Sequence, residues 1–497
     1  MKEYLIGIDI GTSGTKSVMF DLEGNVIASS SAEYQLYQPQ NGYAEQNPED
    51  WWQAACITLK AVSQYATDGK IAGIGLSGQM HSLVILDKNN DVIRPAILWC
   101  DQRTAEECRD IEDIIGRDRL IEITANPALP GFTASKLVWI KKHEPENFEK
   151  TAHILLAKDY IRFKLTGEYA TEVSDASGMQ LLDVKKRAWS QEVCDALGID
   201  MNKLAKVYES PDLTGRVTEE ASILTGLPNG LPVAGGGGDN AASAIGMSVY
   251  KEGSAFTTIG TSGVVFAPTN APKIDPEGRI HTFCAAVPNT WHVMGVTQAA
   301  GLSLNWFRNN FMRDIKYSEI DKECENIPIG SEGLIYLPYL MGERTPILDS
   351  DARGVFFGLS AMHTEYHLAR AVIEGVSYSL YSCLEILNEN GVDIDNMALC
   401  GGGGKSAFWR QMISDVYGMN ITMMRSGEGA ALGAAILGGC AANVFSSVDE
   451  GCKLMTHKSD STEYNAASHN AYLKTYGIYK SIYPAVKPLF SKLKNIR

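Results

Sequence analysis

A short turn rich in glycine and hydroxyl residues occurs twice in this chain. Residues 10–14, Ile-Gly-Thr-Ser-Gly, recur as residues 259–263, which is 249 positions later in a chain of 497 residues. Such a turn directs several backbone N–H groups toward one point, and its hydroxyls add donors, so each copy suits an anionic oxygen. Asp9 lies two residues before the first glycine, whereas Thr258 holds that position in the second copy. The pair therefore predicts two lobes that clasp one polyphosphate, with a carboxylate for a metal ion in one of them.

Asp239 is a second candidate for chemistry, because it follows four consecutive glycines, residues 235–238. The glycines let a ligand approach the backbone closely, and residues 241–245 begin a helical pattern. Transfer of a phosphoryl group to a hydroxyl needs a base close to the acceptor, and such a base contributes roughly 10²- to 10⁴-fold in rate. The alternative is that Asp239 only caps the helix that follows. The residues by themselves leave both interpretations open.

Two loops at predicted strand ends also carry polar side chains. Met80 and His81 follow the strand pattern of residues 71–77, and ligands collect at the carboxyl edge of an open α/β sheet. Asp101 follows the apolar segment 96–98 in the same way. A loop histidine is more often structural than functional, and Asp101 has an alternative role as the cap of the next helix.

Three glycine-containing segments imitate other nucleotide motifs. In residues 11–17 a threonine separates Gly14 from Lys16, and residues 404–406 lack the upstream glycine of a P-loop because position 399 is leucine. Residues 236–241 satisfy a loose dinucleotide fingerprint, but they lie in mid-chain and the pattern is weak by itself. An NAD-dependent oxidoreductase is therefore a minor alternative.

The elements that position the first turn follow a definite order. Residues 5–8 and 18–20 are strand patterns on either side of the turn, and residues 26–28 return as a third strand. Asn47 and Pro48 start a helix, and residues 71–76 form another strand. Three antiparallel strands, a helix and a further strand are typical of the actin-like nucleotide-binding core rather than of a simple doubly wound repeat.

A similar progression begins near residue 253, on both sides of the second turn. Residues 398–404 indicate a strand followed by a glycine turn, and residues 406–417 have helical spacing. Residues 453–465 are polar and turn-rich, and the segment after Asn470 is predicted to be a surface helix with a basic tail.

The predicted fold class is α/β, a two-domain actin-like ATPase (ribonuclease H-like) fold. Each domain is expected to be a mixed sheet flanked by helices, with the active-site cleft between them. The predicted N-terminal domain covers residues 1–245, and the predicted C-terminal domain covers residues 246–497.

Composition limits the classes of partner. The formal net charge of −15 argues against nucleic acid or an anionic membrane as the partner, and no stretch approaches the roughly 18 to 20 apolar residues of a membrane span. The ten cysteines include no Cys-x-x-Cys pair, so neither a zinc ribbon nor a disulfide framework is indicated. Reduced thiols in a cytoplasmic protein are the expected state.

Over nearly its whole length the chain resembles the FGGY family of carbohydrate kinases. Residues 131–140, Gly-Phe-Thr-Ala-Ser-Lys-Leu-Val-Trp-Ile, fit the first signature of that family, and residues 354–359 with 368–375 fit the second. Five further segments resemble the ketopentose kinases of the family: residues 78–81, 95–99, 130–134, 236–242 and 342–346. The first signature, around Lys136 and Trp139, is expected to be largely structural.

The resemblance implies a role for each matched position on the reacting side. It makes Asp239 the general base for a sugar hydroxyl and Asp9 a ligand, through water, of Mg²⁺ bound to ATP. The residues implied at the transferred phosphoryl group are Thr12, Ser13 and Lys16, and those implied at the sugar are Met80, His81, Asp101 and Asn240.

On the nucleotide side the resemblance implies contacts from the second half of the chain. Gly260 and Thr261 would meet the phosphates, Gly301 and Asn305 would lie nearby, and Gly402 and Ser406 would surround the adenosine. Ser406 departs from the asparagine of related glycerol kinases.

The implied activity is the ATP-dependent phosphorylation of a ketopentose, with D-xylulose as the expected acceptor. L-ribulose, L-xylulose, gluconate and polyols are the alternatives within the family, and an actin-like or chaperone-like ATPase without a sugar substrate is the alternative of a different class. The expected partners are the sugar and MgATP, with no nucleic acid and no membrane. A homodimer is expected because relatives commonly form one.

Overall fold

The computed structural model describes residues 2–494 and contains two seven-stranded mixed sheets. The strands of the first half are β1 Lys2–Ile10, β2 Gly14–Asp21, β3 Val26–Glu33, β4 Glu45–Gln46, β5 Gly69–Gly78, β6 Val84–Leu86, β7 Ala96–Ile97, β8 His153–Leu155, β9 Ala170–Glu172, β10 Leu182–Asp183, β11 Ala188–Trp189, β12 Lys206–Tyr208, β13 Leu213–Arg216, β14 Pro232–Ala234 and β15 Gly237–Gly238. The helices of this half are α1 Pro48–Ser63, α2 Ala105–Ile115, α3 Arg117–Thr124, α4 Thr133–His143, α5 Pro145–Lys150, α6 Ala157–Thr166, α7 Val173–Ala176, α8 Gln191–Leu197, α9 Glu219–Thr225 and α10 Asp239–Gly246.

The second half continues with nine strands and seven helices among the described residues. The strands are β16 Gly253–Ile259, β17 Gly263–Thr269, β18 His281–Cys284, β19 Trp291–Thr297, β20 Ile335–Leu337, β21 Val355–Phe357, β22 Ile394–Cys400, β23 Ile421–Met424 and β24 Lys458–Thr462. The helices are α11 Gly301–Phe311, α12 Tyr317–Glu325, α13 Glu365–Glu389, α14 Ala407–Tyr417, α15 Gly429–Ala441, α16 Val448–Met455 and α17 Ala466–Lys494.

The two large sheets share one plan. The first has the order β13-β14-β5-β1-β2-β3, with β15 also paired to β5, and the second has the order β18-β19-β17-β16-β22-β23-β24. In each, three antiparallel strands are followed by a parallel partner of the first strand, which is β5 for β1 and β22 for β16. The predicted two-domain mixed-sheet fold is confirmed, and each glycine turn joins the first two strands of its sheet.

Local signals account for several of these elements. Helix α1 begins as predicted, because the Asn47 side chain accepts from the Glu49 N–H and Pro48 holds the first helical position. Trp51 and Trp52 are buried on its inner face. Strand β1 is buried along most of its length, as expected for a strand with a neighbour on each side and helices above and below.

Helix α15 belongs to the second half of the sequence, yet it packs on the first sheet. Its residues share a core with Leu5, Val18 and Phe20 of the β1–β2 hairpin, and α10 packs beside it. The contact is close because glycines face the helix backbone: a Cβ on Gly7 would lie 1.8 Å from the Ala431 carbonyl oxygen. The domain boundary placed at residue 245 remains a prediction.

One prediction for the end of the chain was wrong. Residues 453–465 are not only turns, because β24 pairs antiparallel with β23 at the sheet edge. Its residues are mostly exposed, so its sequence lacks the apolar alternation of a half-buried strand. The last helix, α17, is a surface helix as predicted, and its inner face, which carries Tyr472, Tyr476 and Tyr479, is buried in the core of the second half.

Two expectations from composition agree with the structure. No helix within residues 2–494 combines the length and apolar character needed to cross a bilayer. All ten cysteines are free thiols.

We expect Gly7→Ala to destabilise the protein strongly. The new methyl group would overlap the Ala431 backbone, and overpacking of a core costs about 1–3 kcal/mol or more in the free energy of unfolding. Gly477→Ala is the matched control, because a Cβ at that exposed position in α17 meets no atom within 4 Å. The control should be neutral or stabilising by up to about 1 kcal/mol. Urea unfolding followed by circular dichroism compares the two, and equal midpoints would contradict the close packing of α15.

Candidate active site

The first glycine turn is held from behind by polar side chains. The Gly11 N–H donates to the Gly14 carbonyl oxygen at 3.0 Å, which closes the turn. The Thr12 hydroxyl accepts from the Trp99 indole N–H at 3.0 Å, and the Thr12 carbonyl oxygen accepts from the Gln46 amide at 2.7 Å. Because these contacts fix the backbone within the protein itself, the turn is preorganised for a ligand.

The second glycine turn is fixed against the start of α11. The Gly260 N–H donates to the Ser262 carbonyl oxygen at 3.1 Å, and the Gly301 N–H donates to the Gly260 carbonyl oxygen at 2.7 Å. A Cβ on Gly301 would lie 2.6 Å from that same oxygen, so the close approach of the two backbones requires glycine. The turn therefore lies at the N-terminus of a helix, where N–H groups and the helix dipole favour an anion.

A cavity of about 660 Å³ lies against this second turn. Leu302, Leu304 and Trp409 contribute apolar surface, and Tyr317 and Asp321 contribute polar groups. The structure brings all six residues expected on the nucleotide side to this one cavity: Gly260, Thr261, Gly301, Asn305, Gly402 and Ser406. Their binding roles remain predictions, but the structure shows that all six residues line the same cavity.

The side chains of two of the six already have hydrogen-bond partners. The Ser406 hydroxyl accepts from the Trp409 N–H at 3.0 Å and so caps α14. Asn305 Oδ1 accepts from the Asn309 side-chain amide at 2.8 Å and from the Tyr317 hydroxyl at 3.2 Å. The Ser406 O–H is engaged by the Asp321 carboxylate, and Asn305 keeps its amide N–H₂ as a donor for a ligand.

A second cavity, of about 510 Å³, adjoins the first. Asp9, Lys16 and Glu428 line it, and Gly402 and Lys405 line both cavities. The two cavities therefore form one groove that runs from the first glycine turn to the apolar surface near Trp409. A nucleotide with its phosphates near Asp9 and its base near Trp409 would fit this arrangement.

The charges at the inner end of the groove come from both halves of the chain. Lys16 Nζ lies 2.5 Å from Glu428 Oε1, although the two residues are 412 positions apart. The Ser77 hydroxyl donates to Asp9 Oδ1 at 2.9 Å. Burial raises the pKa of Asp9, and the nearby Glu428 carboxylate raises it further. One cation therefore lies close to two carboxylates.

The carboxylate of Asp9 suits a metal ion that is bound mainly by the phosphates of a nucleotide. Within residues 2–494 there is no group of three or more His, Cys, Asp or Glu side chains placed to hold a metal ion. Asp9 nevertheless offers a carboxylate to the groove. A divalent ion bound through one or two carboxylates, substrate phosphates and water needs no more than that from the protein.

Asp239 begins α10, and the cap of that helix is Gly238. The interpretation of Asp239 as the N-cap is therefore excluded. Asp239 Oδ1 accepts from the Asn240 backbone N–H at 2.7 Å and from the Asn240 amide at 3.0 Å. Burial raises the pKa of Asp239 to about 7, with a further contribution from the charge of Asp9. Ser243 of the same helix lines the cavity of Asp9, so the carboxyl begins a helix that borders the groove.

Met80 and His81 lie just after β5, next to the Asp239 segment. Gly238 approaches Met80 so closely that a Cβ there would lie 2.8 Å from Met80 Cγ. His81 Nδ1 is 2.7 Å from the Gly178 carbonyl oxygen, and since a carbonyl only accepts, the ring proton is on Nδ1 and Nε2 is an acceptor. Burial, followed by the charge of Lys136, lowers the pKa of His81 well below its usual value. His81 is therefore a neutral imidazole.

Asp101 is buried and its oxygens are engaged. Its Oδ1 accepts from the Arg103 N–H and Nε–H, both at 2.9 Å, and its Oδ2 accepts from Arg103 Nη2 at 2.7 Å and from the Ala44 N–H at 2.6 Å. It does not cap α2, whose N-cap is Thr104. These bonds orient the loop after Trp99, and a contact between Asp101 and a sugar hydroxyl remains a prediction.

Lys136 of the first family signature is a structural anchor. Its Nζ donates to the His81 carbonyl oxygen at 2.8 Å and to the Gly131 carbonyl oxygen at 2.6 Å. Burial lowers the pKa of Lys136 to about 7. The side chain thus ties the His81 loop to the signature loop, as the largely structural role predicted for this signature requires.

A chain of buried hydrogen bonds supports the residue before Asp239. The Gly238 N–H donates to Ser174 Oγ at 3.1 Å, and the Ser174 hydroxyl donates to Glu172 Oε1 at 2.9 Å. Glu172 is fully buried and also accepts from the Ser210 hydroxyl at 2.6 Å. Since these groups have no access to water, each bond fixes the backbone at Gly238 strongly.

The Glu172 carboxylate also belongs to a cluster of charged side chains buried inside the first half of the chain. Arg162 donates to the Gly235 carbonyl oxygen, so the cluster holds both ends of the glycine segment. Burial raises the pKa of Asp175, and the charge of Lys158, 3.1 Å away, opposes that shift. The members of the cluster are Lys158, Asp159, Arg162, Glu172 and Asp175.

Sequence reasoning missed Glu428, Lys405, Ser174 and this cluster. Glu428 follows a glycine in a polar loop and has no local pattern that marks it. The one available signal for Ser174 and Asp175 is that they lie in a polar stretch, residues 171–178, well before the glycines. That signal does not indicate which residues they contact.

The two halves of the chain match one family. Residues 4–246 match the FGGY family of carbohydrate kinases, N-terminal domain, and residues 255–442 match the C-terminal domain of that family. A xylulose kinase of Lactococcus lactis subsp. lactis (strain IL1403) is 41% identical over 97% of this chain and 96% of that protein. A xylulose kinase of Bacillus subtilis (strain 168) is 38% identical over 100% of this chain and 99% of that protein.

A solved structure and a second kind of kinase complete the comparison. A ligand-bound xylulose kinase from Lactobacillus acidophilus aligns with a TM-score of 0.94 and 30% identity, over 99% of this chain and 100% of that chain. A gluconokinase of Bacillus subtilis (strain 168) is 33% identical over 90% of each chain, which is a weaker match.

We expect Ser174→Ala to lower turnover without weakening nucleotide binding. The Gly238 N–H would lose the Ser174 hydroxyl as its acceptor, and an unpaired buried donor costs about 1–3 kcal/mol. Steady-state kinetics and ADP binding by calorimetry measure the two effects. Ser222→Ala, which removes a hydroxyl bonded to the Leu227 carbonyl oxygen, is the control. Turnover equal to that of the control, or a parallel loss of ADP affinity, would contradict a role in placing Asp239.

Proposed function

We propose that this chain, which belongs to the FGGY family of carbohydrate kinases, transfers the γ-phosphoryl group of ATP to D-xylulose. The products are D-xylulose 5-phosphate and ADP. The observation that carries the proposal is a carboxyl with a pKa of about 7, Asp239, at the start of a helix that borders a groove between the halves of the chain. The names of the full-length relatives support D-xylulose as the acceptor.

In the proposed reaction Asp239 is the general base. As the acceptor hydroxyl oxygen forms its bond to the γ-phosphorus, its proton passes to the Asp239 carboxylate. The bond from the γ-phosphorus to the bridging oxygen breaks, and ADP leaves with that oxygen. A base whose pKa lies near the working pH serves such a transfer well, because a large fraction is ionised while proton affinity stays high.

The neighbours of Asp239 give it this pKa and direct it. Burial and the Asp9 charge both favour the protonated form. The two bonds from Asn240 hold Oδ1 and leave Oδ2 for the acceptor hydroxyl. We infer that Asn240 acts mainly by orienting Asp239, in addition to its expected contact with the sugar.

Lys16 and the two turns are proposed to stabilise the charge that develops on phosphate. Lys16 pairs with Glu428 in this structure, and we infer that phosphate oxygens compete with Glu428 for it. Thr12, Ser13, Gly260 and Thr261 provide hydroxyl and backbone donors on either side. Preorganised donors of this kind are among the largest contributions to phosphoryl transfer.

We propose Mg²⁺ as the divalent ion. It supplies charge neutralisation at the phosphate oxygens when bound, and Asp9 would hold it through water. A cytoplasmic location and a homodimer, both expected from the sequence, remain predictions.

A coupled ADP assay on ketoses, aldoses, polyols and sugar acids tests the function. We expect D-xylulose to give the highest kcat/KM and gluconate to be the main rival. Asp239→Asn should lower turnover on the preferred sugar by roughly 10²- to 10⁴-fold while ADP binding is kept. Asp200→Asn, at the cap of a short surface turn, is the matched control. Near-normal turnover of Asp239→Asn would remove Asp239 from the role of base, and ATP turnover that no sugar stimulates would favour the ATPase alternative.

The pH dependence of kcat/KM tests the environment of Asp239. Because the base works only when ionised, activity should fall about tenfold per pH unit below an apparent pKa of about 7. In Asp9→Asn the charge that raises this pKa is absent, so the acidic limb should move to lower pH. The residual activity of Asp9→Asn, or titration of ¹³C-labelled aspartate by NMR, measures the shift. An unmoved limb would contradict the proposed coupling between the two carboxyls.

A further inference from the structure

Arg344 is a half-buried cation that reaches from the second half of the chain toward the Met80–His81 loop of the first. Its Nη2 would lie 3.4 Å from a Cβ placed on Gly131. Gly131 belongs to the loop that Lys136 ties to His81. The guanidinium therefore lies at the acceptor side of the proposed site, where Met80, His81 and Gly131 come from the first half.

The Arg344 guanidinium has no hydrogen-bond or ion-pair partner within residues 2–494. Its backbone N–H donates to Glu343 Oε1 at 2.8 Å, but the side chain does not pair with that carboxylate. Glu343 is instead held by the Thr297 hydroxyl at 2.6 Å and by the Gln298 N–H at 2.8 Å. Burial lowers the pKa of Arg344, which is the direction expected when a charge loses water without gaining a partner.

Other inward-facing arginines of this chain are paired. Arg103 bonds to Asp101, Arg162 to Asp159, and Arg370 to Glu374. A charged group removed from water is normally paired or bound to a ligand, because isolation costs several kcal/mol. Arg344 differs from these arginines because its guanidinium is unpaired among the described residues, which points to a ligand as its partner.

Arg344 lies near the Glu343 carboxyl, whose charge raises the pKa of Arg344 against the larger, opposite effect of burial. The charge of Arg344 acts on His81 and His281, whose pKa values are both lowered, with burial as the main cause. His281 Nδ1 lies 2.9 Å from Asn126 Oδ1, and the His281 ring packs near Phe132 at 5.7 Å between centroids. Two neutral imidazoles and an aromatic ring form a surface that fits an uncharged polyhydroxy compound with oxygen acceptors.

A series of contacts between neighbouring residues leads from Asp239 to Arg344, which lies at the other end of the proposed acceptor site. Gly238, next to Asp239, touches Met80. The Met80–His81 pair in turn touches Gly178, and the His81 ring lies 4.8 Å from that of Phe132. Phe132 adjoins Gly131, which Arg344 approaches. An acceptor with its reacting hydroxyl at Asp239 would thus extend past Met80 and His81 toward Arg344.

We infer that Arg344 binds the carbonyl end of the ketose acceptor. This inference rests on the proposed function, in which the hydroxyl on carbon 5 reacts at Asp239. The ketone oxygen on carbon 2 and the hydroxyl on carbon 1 then lie at the opposite end of the sugar. A guanidinium donates several N–H bonds in one plane, so it is suited to bind two adjacent oxygens.

The inference gives the second half of the chain a part in acceptor selection. The reacting hydroxyl and the middle of the sugar meet residues of the first half, and the carbonyl end meets Arg344 of the second. Binding of the sugar therefore adds a contact between the two halves, which are already bonded directly near this end. A pentitol has a hydroxyl in place of the ketone, so it lacks the carbonyl oxygen that would accept a strong hydrogen bond from Arg344.

The test is Arg344→Gln, compared with Arg353→Gln in the same loop, where Arg353 donates only to backbone carbonyl oxygens. For Arg344→Gln we expect the KM for D-xylulose to rise roughly 10- to 100-fold, the range for a hydrogen bond from a charged donor. We expect kcat to change less than threefold and ADP affinity to stay constant. The KM for xylitol should change much less than that for D-xylulose, and Arg344→Lys should restore part of the loss.

Thermal unfolding separates a binding role from a structural one. Because the Arg344 guanidinium has no partner among the described residues, Arg344→Gln should keep or raise the melting temperature without ligand and should lose most of the rise that D-xylulose produces. A lower melting temperature with an unchanged KM would overturn the inference, as would equal KM changes for D-xylulose and xylitol. A greater loss for gluconate than for D-xylulose would overturn the ketose assignment in favour of a carboxylate.

Failure of this inference can be told from failure of the proposed function. If wild-type protein phosphorylates no ketose, the proposed function fails, and the inference about the ketose carbonyl fails with it. If wild-type protein phosphorylates D-xylulose and Arg344→Gln behaves like Arg353→Gln, only the inference about Arg344 fails.

Discussion

The close packing of α15 against the first sheet is the constraint on which the groove depends. A Cβ on Gly75 would lie 1.9 Å from the Ala434 carbonyl oxygen, and one on Gly433 would lie 1.8 Å from the Ala242 carbonyl oxygen. Because glycines occupy these positions, the backbone of α15 packs directly against the backbones of the sheet and of α10, and this contact fixes the position of the helix. That position puts Glu428, directly before the helix, beside Lys16 on β2. One packing contact thus links the two halves and assembles the charges of the groove.

The charges of the groove are mutually dependent. Asp9 and Glu428 both lie near Lys16. Burial raises the pKa of Asp9, and the charge of Glu428 raises it further. The charge of Asp9 in turn helps to raise the pKa of Asp239. Like charges held near each other in a desolvated cleft disfavour ionisation. The basic strength of Asp239 is therefore a property of the assembled groove rather than of the residue.

The two ends of the interface between the halves differ in character. Near the nucleotide end lie open cavities of about 660 and 510 Å³. Near the acceptor end the halves are joined by direct bonds: the Asn126 amide donates to the Thr282 carbonyl oxygen at 3.0 Å, and the Trp291 indole N–H donates to the Val184 carbonyl oxygen at 2.7 Å. Phe132 and Phe283 pack across the same boundary, with ring centroids 6.0 Å apart. Arg344 reaches the acceptor side from this joined region.

The sequence by itself determined the repeated turn, the strand order around it, the cap of α1 and the placement of Asp239 after a glycine segment. These features depend on torsional freedom, periodicity and capping, which act over a few neighbouring residues and leave local patterns. Only the tertiary structure decided that Glu428 meets Lys16 across 412 positions, that Ser174 supports Gly238, and that Arg344 lies unpaired near Gly131. It also decided that Asp239 is not a cap and that the tyrosines of α17 are buried. Such contacts depend on how distant elements pack, and no local spacing records which surfaces will meet.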